Sequence, residues 1–117
     1  PAVIYGIRRI LDEMFFNICD NALKYNRDGG RIDISISESI HFIEVAVADS
    51  GIGIPEEDHG RVFERFYRVD KSHSRQTGGT GLGLSIVKHG ASIHKAQIVL
   101  KSTPNVGTTI GIRFPKA

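Results

Sequence analysis

Cysteine and tryptophan are nearly or wholly missing from this sequence: of 117 residues one is Cys, Cys19, and none is Trp. A single thiol excludes an intrachain disulfide framework and any zinc site built on several cysteines, and it suits a reducing compartment. Charge of one sign is missing too. Fifteen Lys and Arg against thirteen Asp and Glu leave a formal net charge of +2, without the global basic field of a general nucleic-acid binder. No apolar run approaches the ~20 residues of a membrane-spanning helix, and the N-terminus lacks the charged-then-apolar pattern of a signal peptide. These absences predict a cytoplasmic domain. At roughly 150 residues per domain, the length predicts one domain, residues 1–117, folding on one hydrophobic core without disulfide or structural metal.

Thirteen glycines and a regular hydrophobic pattern are what the chain does have. Ala2–Tyr5 is apolar and β-branched and predicts a short strand. From Ile7 to about Tyr25, without Pro or Gly, the spacing predicts a helix. Leu11, Met14, Phe15, Ile18 and Ala22 share one face, widened by Phe16, Cys19 and Leu23, so the helix is expected to be mostly buried. Glu13, Asn17, Asn21 and Lys24 form a narrow polar stripe. The turn cluster 26–30 leads into the alternating Arg31–Ser37, and Phe42–Ala48 reads as its hairpin partner, stopped by Asp49-Ser-Gly-Ile-Gly-Ile-Pro55. A helix is expected from Glu56 to about Phe63. A polar, glycine-rich segment then runs to Thr80, which caps a third helix from Gly81 to about Lys88, and strands follow near Gln97–Lys101 and Thr108–Phe114. Because strands and helices do not alternate regularly, the order predicts a mixed sheet with helices packed on one face.

Four groups of residues have chemical potential. The stripe Asn17, Asn21, Lys24, with Tyr25 at its edge, could ligate a hard cation and meet a phosphate, or could simply be the solvated side of an amphipathic helix. Asp49-Ser-Gly51-Ile-Gly53 at a strand end could accept a hydrogen bond from an exocyclic amine, or be an ordinary turn. Gly78-Gly-Thr-Gly-Leu-Gly83-Leu-Ser85 favours a phosphate-binding loop over a mere linker, because glycine backbone N–H groups and a helix N-terminus both attract anions. It is not a Walker A loop, since Leu84-Ser85 stands where Lys-Ser/Thr is required, and it lacks the Rossmann spacing. Arg61, Arg65, Arg68, Lys71 and Arg75 concentrate one third of the basic residues in fifteen positions, as suits a polyphosphate lid, a solvated face, or a nucleic-acid patch with Phe63, Phe66 and Tyr67 stacking bases.

Together, in this order, the motifs resemble those of the catalytic ATP-binding domain of bacterial sensor histidine kinases, phosphate-regulon sensors among them. Glu13–Tyr25 resembles the N box, Asp49–Gly53 the G1 box, Phe63–Arg68 the F box, Gly79–Leu84 the G2 box, and Gly107-Thr108 a final glycine motif. The resemblance implies the Bergerat fold, a two-layer α+β sandwich whose mixed, mainly antiparallel sheet carries about three helices on one face, with a mobile ATP lid over residues 56–80. It implies ATP and Mg²⁺ as cofactors. Asn21 would ligate the metal with Asn17 in support, Lys24 would reach a phosphate, Tyr25 would flank the adenine, and Asp49 would bond its amine. Gly51, Gly53 and Ile54 would shape the pocket, Gly79, Thr80, Gly81, Leu82, Gly83 and Leu84 would cover the phosphates, and Tyr67 and Thr108 would complete the contacts. Arg68 would assist γ-phosphoryl transfer.

The same fold serves gyrase-type, mismatch-repair and chaperone ATPases, in which a Glu one turn before the metal-binding Asn activates water. Here that position is Asn17, so hydrolysis should be poor. The implied acceptor is a histidine on a separate dimerisation domain, which is expected to be absent from this chain, as are the sensor domains. His41, His59, His73, His89 and His94 read as structural or exposed. The implied partners are that domain and a response regulator, with neither nucleic acid nor direct membrane contact. The isolated domain would be a monomer and its parent a homodimer in the bacterial plasma membrane. The rivals are a non-enzymatic module whose Arg-rich segment binds nucleic acid or protein, and a serine kinase of the same fold. Two departures from the family pattern stand out: His94-Lys-Ala96 replaces the usual His-Gly-Gly, and Gly90 is expected to weaken or shorten the end of the third helix.

Overall fold

The computed structural model describes residues 3–65, 67 and 83–117. Strands β1 (Ile32–Glu38), β2 (Phe42–Asp49), β3 (Gln97–Thr103) and β4 (Gly107–Pro115) form one sheet in the order β1-β2-β4-β3, with every neighbouring pair antiparallel. Helices α1 (Arg8–Lys24) and α2 (Gly83–Ile93) pack together on one face. This is the expected two-layer α+β arrangement. Among the described residues it has two α-helices rather than three, and no parallel pair gives the sheet the mixed character expected of it.

Period-two alternation decides what each strand gives the core. Val47 on β2 and Ile110, Ile112 and Phe114 on β4 point to the helices and are buried, meeting Met14, Ile18 and Ala22 of α1 and Val87 and Ala91 of α2, and Ile43 at the start of β2 is buried too. The other flank of α1 is not buried as its pattern predicted. Phe16 is 70% and Leu23 67% exposed, because α1 rests on α2 and β2 and leaves the helix-facing side of the edge strand β1 uncovered.

Three local expectations need correction. Val3–Tyr5 form no strand; the Val3 carbonyl accepts a bond from the Ala117 N–H, past the end of β4, and the segment pairs with neither edge strand, β1 nor β3. The helix expected over residues 56–63 is a single 3-10 turn, Glu56–Asp58, because Gly60 follows before a second turn can form and the Arg61 and Val62 N–H groups both return to the Asp58 carbonyl. Gly90 does not shorten α2, which continues to Ile93. A Cβ at Gly90 would run into Met14 Cγ and Sδ, so the missing side chain is what lets α2 lie against α1. Lys95 takes the left-handed conformation (φ 56°) where the family pattern has glycine.

Candidate functional site

The helix-facing side of the sheet is apolar until its last row. Asp49, Thr108 and Ser102 are register partners across β2, β4 and β3, one row beyond Val47, Ile110 and Leu100. Asp49 is half-buried and Thr108 only 6% exposed. Burial pushes the Asp49 carboxyl above its ordinary value, and the Gly51 and Thr108 N–H groups, which donate to Oδ1 at 2.9 and 3.3 Å, partly offset that. The carboxylate's remaining capacity as an acceptor suits a ligand donor such as an aromatic amine. Ser102 Oγ lies 2.7 Å from Thr108 Oγ1 and accepts the Ile54 N–H at 2.7 Å, bracing the loop after β2 against the sheet.

That loop runs between α1 and the β3–β4 turn. The Ile52 N–H donates to the Tyr25 carbonyl at 3.1 Å, where α1 ends, and the Asn105 N–H donates to the Ile52 carbonyl at 2.8 Å. A Cβ at Gly51 would strike the Tyr25 carbonyl, and Gly53 both holds φ +73° and lies against the Thr103 carbonyl. The two glycines of the motif are therefore required by backbone contact before any ligand is considered. Ile54 is buried, and its carbonyl is 2.8 Å from His59 Nε2.

Along α1 the polar stripe reaches the start of α2. The Asn17 carboxamide donates to the Glu13 carbonyl at 2.7 Å, and its Oδ1 would lie 3.2 Å from a Cβ at Gly83. The N box and the helix after the glycine-rich loop thus meet at Asn17 and Gly83, with the positive end of α2 at that point. Leu84 packs against the core. Asn21 is half-buried one turn further on, and Lys24 pairs with Asp20 at 3.0 Å. Tyr67 donates to Asp58 with Arg61 over its ring, and the bond to Asp58 raises the phenol pKa. Its described contacts are thus with its own segment. Arg68, Gly79, Thr80, Gly81 and Leu82, with Lys71, His73 and Arg75, lie outside the described residues. Two residues escaped the sequence reading: Ser102, and Arg27, whose Nη2 donates to the Gly51 carbonyl at 2.9 Å and the Asn105 carbonyl at 2.6 Å.

Residues 6–117 match the family described as histidine kinase-, DNA gyrase B- and HSP90-like ATPase. The chain belongs to this family. Within this ATPase family it is 46% identical over 113 residues to the sensor-like histidine kinase SenX3 of Mycolicibacterium smegmatis, covering 97% of this chain and 29% of the relative. Over 111 residues it is 45% identical to the sensor histidine kinase WalK of Bacillus subtilis, covering 93% and 18%. The mycobacterial sensor histidine kinase MprB superposes with a TM-score of 0.86 at 31% identity, over 97% of this chain and 76% of that one. The chain thus spans less than a third of these two curated relatives. It is homologous to the ATP-binding catalytic domains of two-component sensor kinases, and family membership brings use of ATP with it. No helix among the described residues is long and apolar enough to cross a membrane.

Proposed function

We propose that the chain transfers the γ-phosphoryl group of ATP to a histidine on a separate dimerisation domain of a sensor kinase, for relay to a response regulator. The observation that carries this reading is the amide at Asn17. Its carboxamide is committed to Glu13 and abuts the start of α2, and an amide has no basicity with which to activate water. Glu13 is exposed and faces Arg9 at 3.9 Å, a turn further back. A bound triphosphate therefore keeps its γ-phosphoryl until an acceptor arrives. The acceptor imidazole nitrogen then attacks phosphorus, the bond to the β,γ-bridging oxygen breaks, and ADP leaves.

Asp49 accepts from the adenine amine at the polar end of the sheet, with Thr108 beside it, Gly51, Gly53 and Ile54 forming the wall and Tyr25 flanking the ring. Lys24 serves a phosphate; its half-exposed pairing with Asp20 is worth under about 1 kcal/mol and is readily exchanged. Gly79 to Leu84 and the α2 N-terminus enclose the phosphates, Tyr67 closes the base side, and Arg68 stabilises charge during transfer. Among the described residues no three His, Cys, Asp or Glu group to hold a metal. The carboxamides of Asn21 and Asn17 fit Mg²⁺ instead, which takes few protein ligands and completes its shell with water and phosphate oxygens. Bound there, it would neutralise phosphate charge. The parent is a homodimer in the bacterial plasma membrane with this domain on the cytoplasmic side, and the isolated domain is a monomer.

The test mixes the chain with ATP, Mg²⁺ and a separately produced histidine-bearing dimerisation domain. Label should appear on that domain, acid-labile as phosphohistidine is, and vanish with Asn21→Ala or without Mg²⁺. Steady phosphate release by the chain alone, with no transfer, would overturn the reading.

A further inference from the structure

We infer that Arg27 is a positioning residue for base recognition, acting through Gly51 on the Asp49 carboxylate. The inference rests on reading the Asp49 end of the sheet as the adenine pocket. One guanidinium nitrogen of Arg27 joins three segments: the turn after α1, the loop after β2 at the Gly51 carbonyl (2.9 Å), and the β3–β4 turn at the Asn105 carbonyl (2.6 Å). The two sides of Gly51 thus have different partners. Its N–H holds Asp49 Oδ1, and its carbonyl is held by Arg27. The Gly51 carbonyl shares its peptide plane with the Ile52 N–H, so Arg27 and the Tyr25 carbonyl hold that plane from both sides and thereby place the Gly51 Cα, from which the N–H that fixes the Asp49 rotamer projects.

The clamp has a firm base. Asn26 accepts the Arg27 N–H at 2.9 Å and donates to the Arg31 carbonyl at 3.0 Å, fixing the turn from which Arg27 reaches out. Asn105, at φ 65°, bonds Ile52 through its N–H while its carbonyl takes Arg27, so the β3–β4 turn is tied to the loop twice. Arg27 is exposed, and among the described residues no carboxylate pairs with it. Its guanidinium is spent on two backbone carbonyls, which have a fixed place in the pocket wall, rather than on a surface ion pair.

Dissociation constants of ATP and of purine riboside triphosphate, which lacks the 6-amino group, would be measured by calorimetry for the 117-residue chain and for Arg27→Met and Arg27→Lys. Wild type should prefer ATP by roughly tenfold, the worth of one hydrogen bond to a charged acceptor. In Arg27→Met that preference should fall to within about twofold, through weaker ATP binding alone. Arg27→Lys keeps a donor for the carbonyls and should retain part of it. A merely electrostatic role would weaken both nucleotides equally, and that result overturns the proposal. So does a preference unchanged in Arg27→Met, or a variant that melts below the assay temperature, which would make Arg27 a stabilising prop. Wild type that binds neither nucleotide, or both alike, instead sinks the adenine-pocket reading itself.

Discussion

Asp49 is a residue whose placement works against stability. Burial raises its pKa, and the N–H groups of Gly51 and Thr108 compensate only in part. Because the folded chain holds the proton more tightly than the unfolded one, the stability Asp49 contributes is full below the unfolded value of about 4 and is lost as pH rises through the higher folded value. At neutral pH an ionised carboxylate is thus retained at a cost, as expected of a recognition group. Asp49→Asn keeps an Oδ1 acceptor for both N–H groups while removing the charge. It should therefore melt higher than wild type at pH 7, with the advantage disappearing in acid, and a lower melting temperature at pH 7 would contradict the burial argument. The same variant turns an NH₂ donor toward the base. It should lose affinity for the 6-amino nucleotide and gain it for a 6-oxo nucleotide such as ITP, a reversal that competition binding reads directly.

At the scale of elements, Gly90 shows how packing overrules propensity. Replacing a helical glycine by alanine ordinarily gains about 1 kcal/mol. Here the new methyl would meet Met14 Cγ and Sδ at the α1–α2 contact, and Met14 is fully buried. Gly90→Ala should therefore destabilise by roughly 1–3 kcal/mol in denaturant melts, and its added cost should shrink in a Met14→Ala background, which is itself less stable because that buried side chain is lost. A gain in stability would mean that α2 is free to move away. That contact was not legible in the sequence, where Gly90 reads only as a helix breaker. The hairpin strands were legible, because alternation and the turn clusters are local signals. The N-terminal strand was not, since composition shows that residues 3–5 could pair but not whether the fold brings them to an edge, and Val3 meets Ala117 past the end of β4 instead. Asp49, Asn17 and Thr108 were legible through motifs. Arg27 and Ser102 were not, because the carbonyls that Arg27 meets lie 24 and 78 residues away and the Ile54 N–H that Ser102 accepts lies 48 away, so only the fold brings them together.

Across the whole molecule the sheet has two unlike ends. Asp49, Thr108 and Ser102 mark one; Phe42, Pro115 and Gln97 mark the other, seven residues along β2, or roughly 23 Å. At this second end His94 ties the chain together. Its Nδ1 donates to the Gly90 carbonyl at 2.8 Å, which leaves Nε2 to accept the Ile7 N–H at 3.0 Å, and its ring stands edge-on to Phe114 at 6.0 Å. Helix α1 has no side-chain N-cap of its own, so His94 joins the end of α2 to the start of the helix carrying Asn17 and Asn21. His94→Ala takes the partner from the Ile7 N–H and the ring from against Phe114, while the Gly90 carbonyl keeps the backbone N–H of residue 94, and should cost about 2 kcal/mol; His89→Ala, at an exposed position, should stay within about 0.5 kcal/mol. Since the loss falls at the end away from Asp49, the affinity for ATP measured at 10 °C, well below the transition, should be unchanged within twofold. If affinity falls in step with stability, the two ends are coupled through α1, and the separation of a structural end from a nucleotide-binding end is wrong.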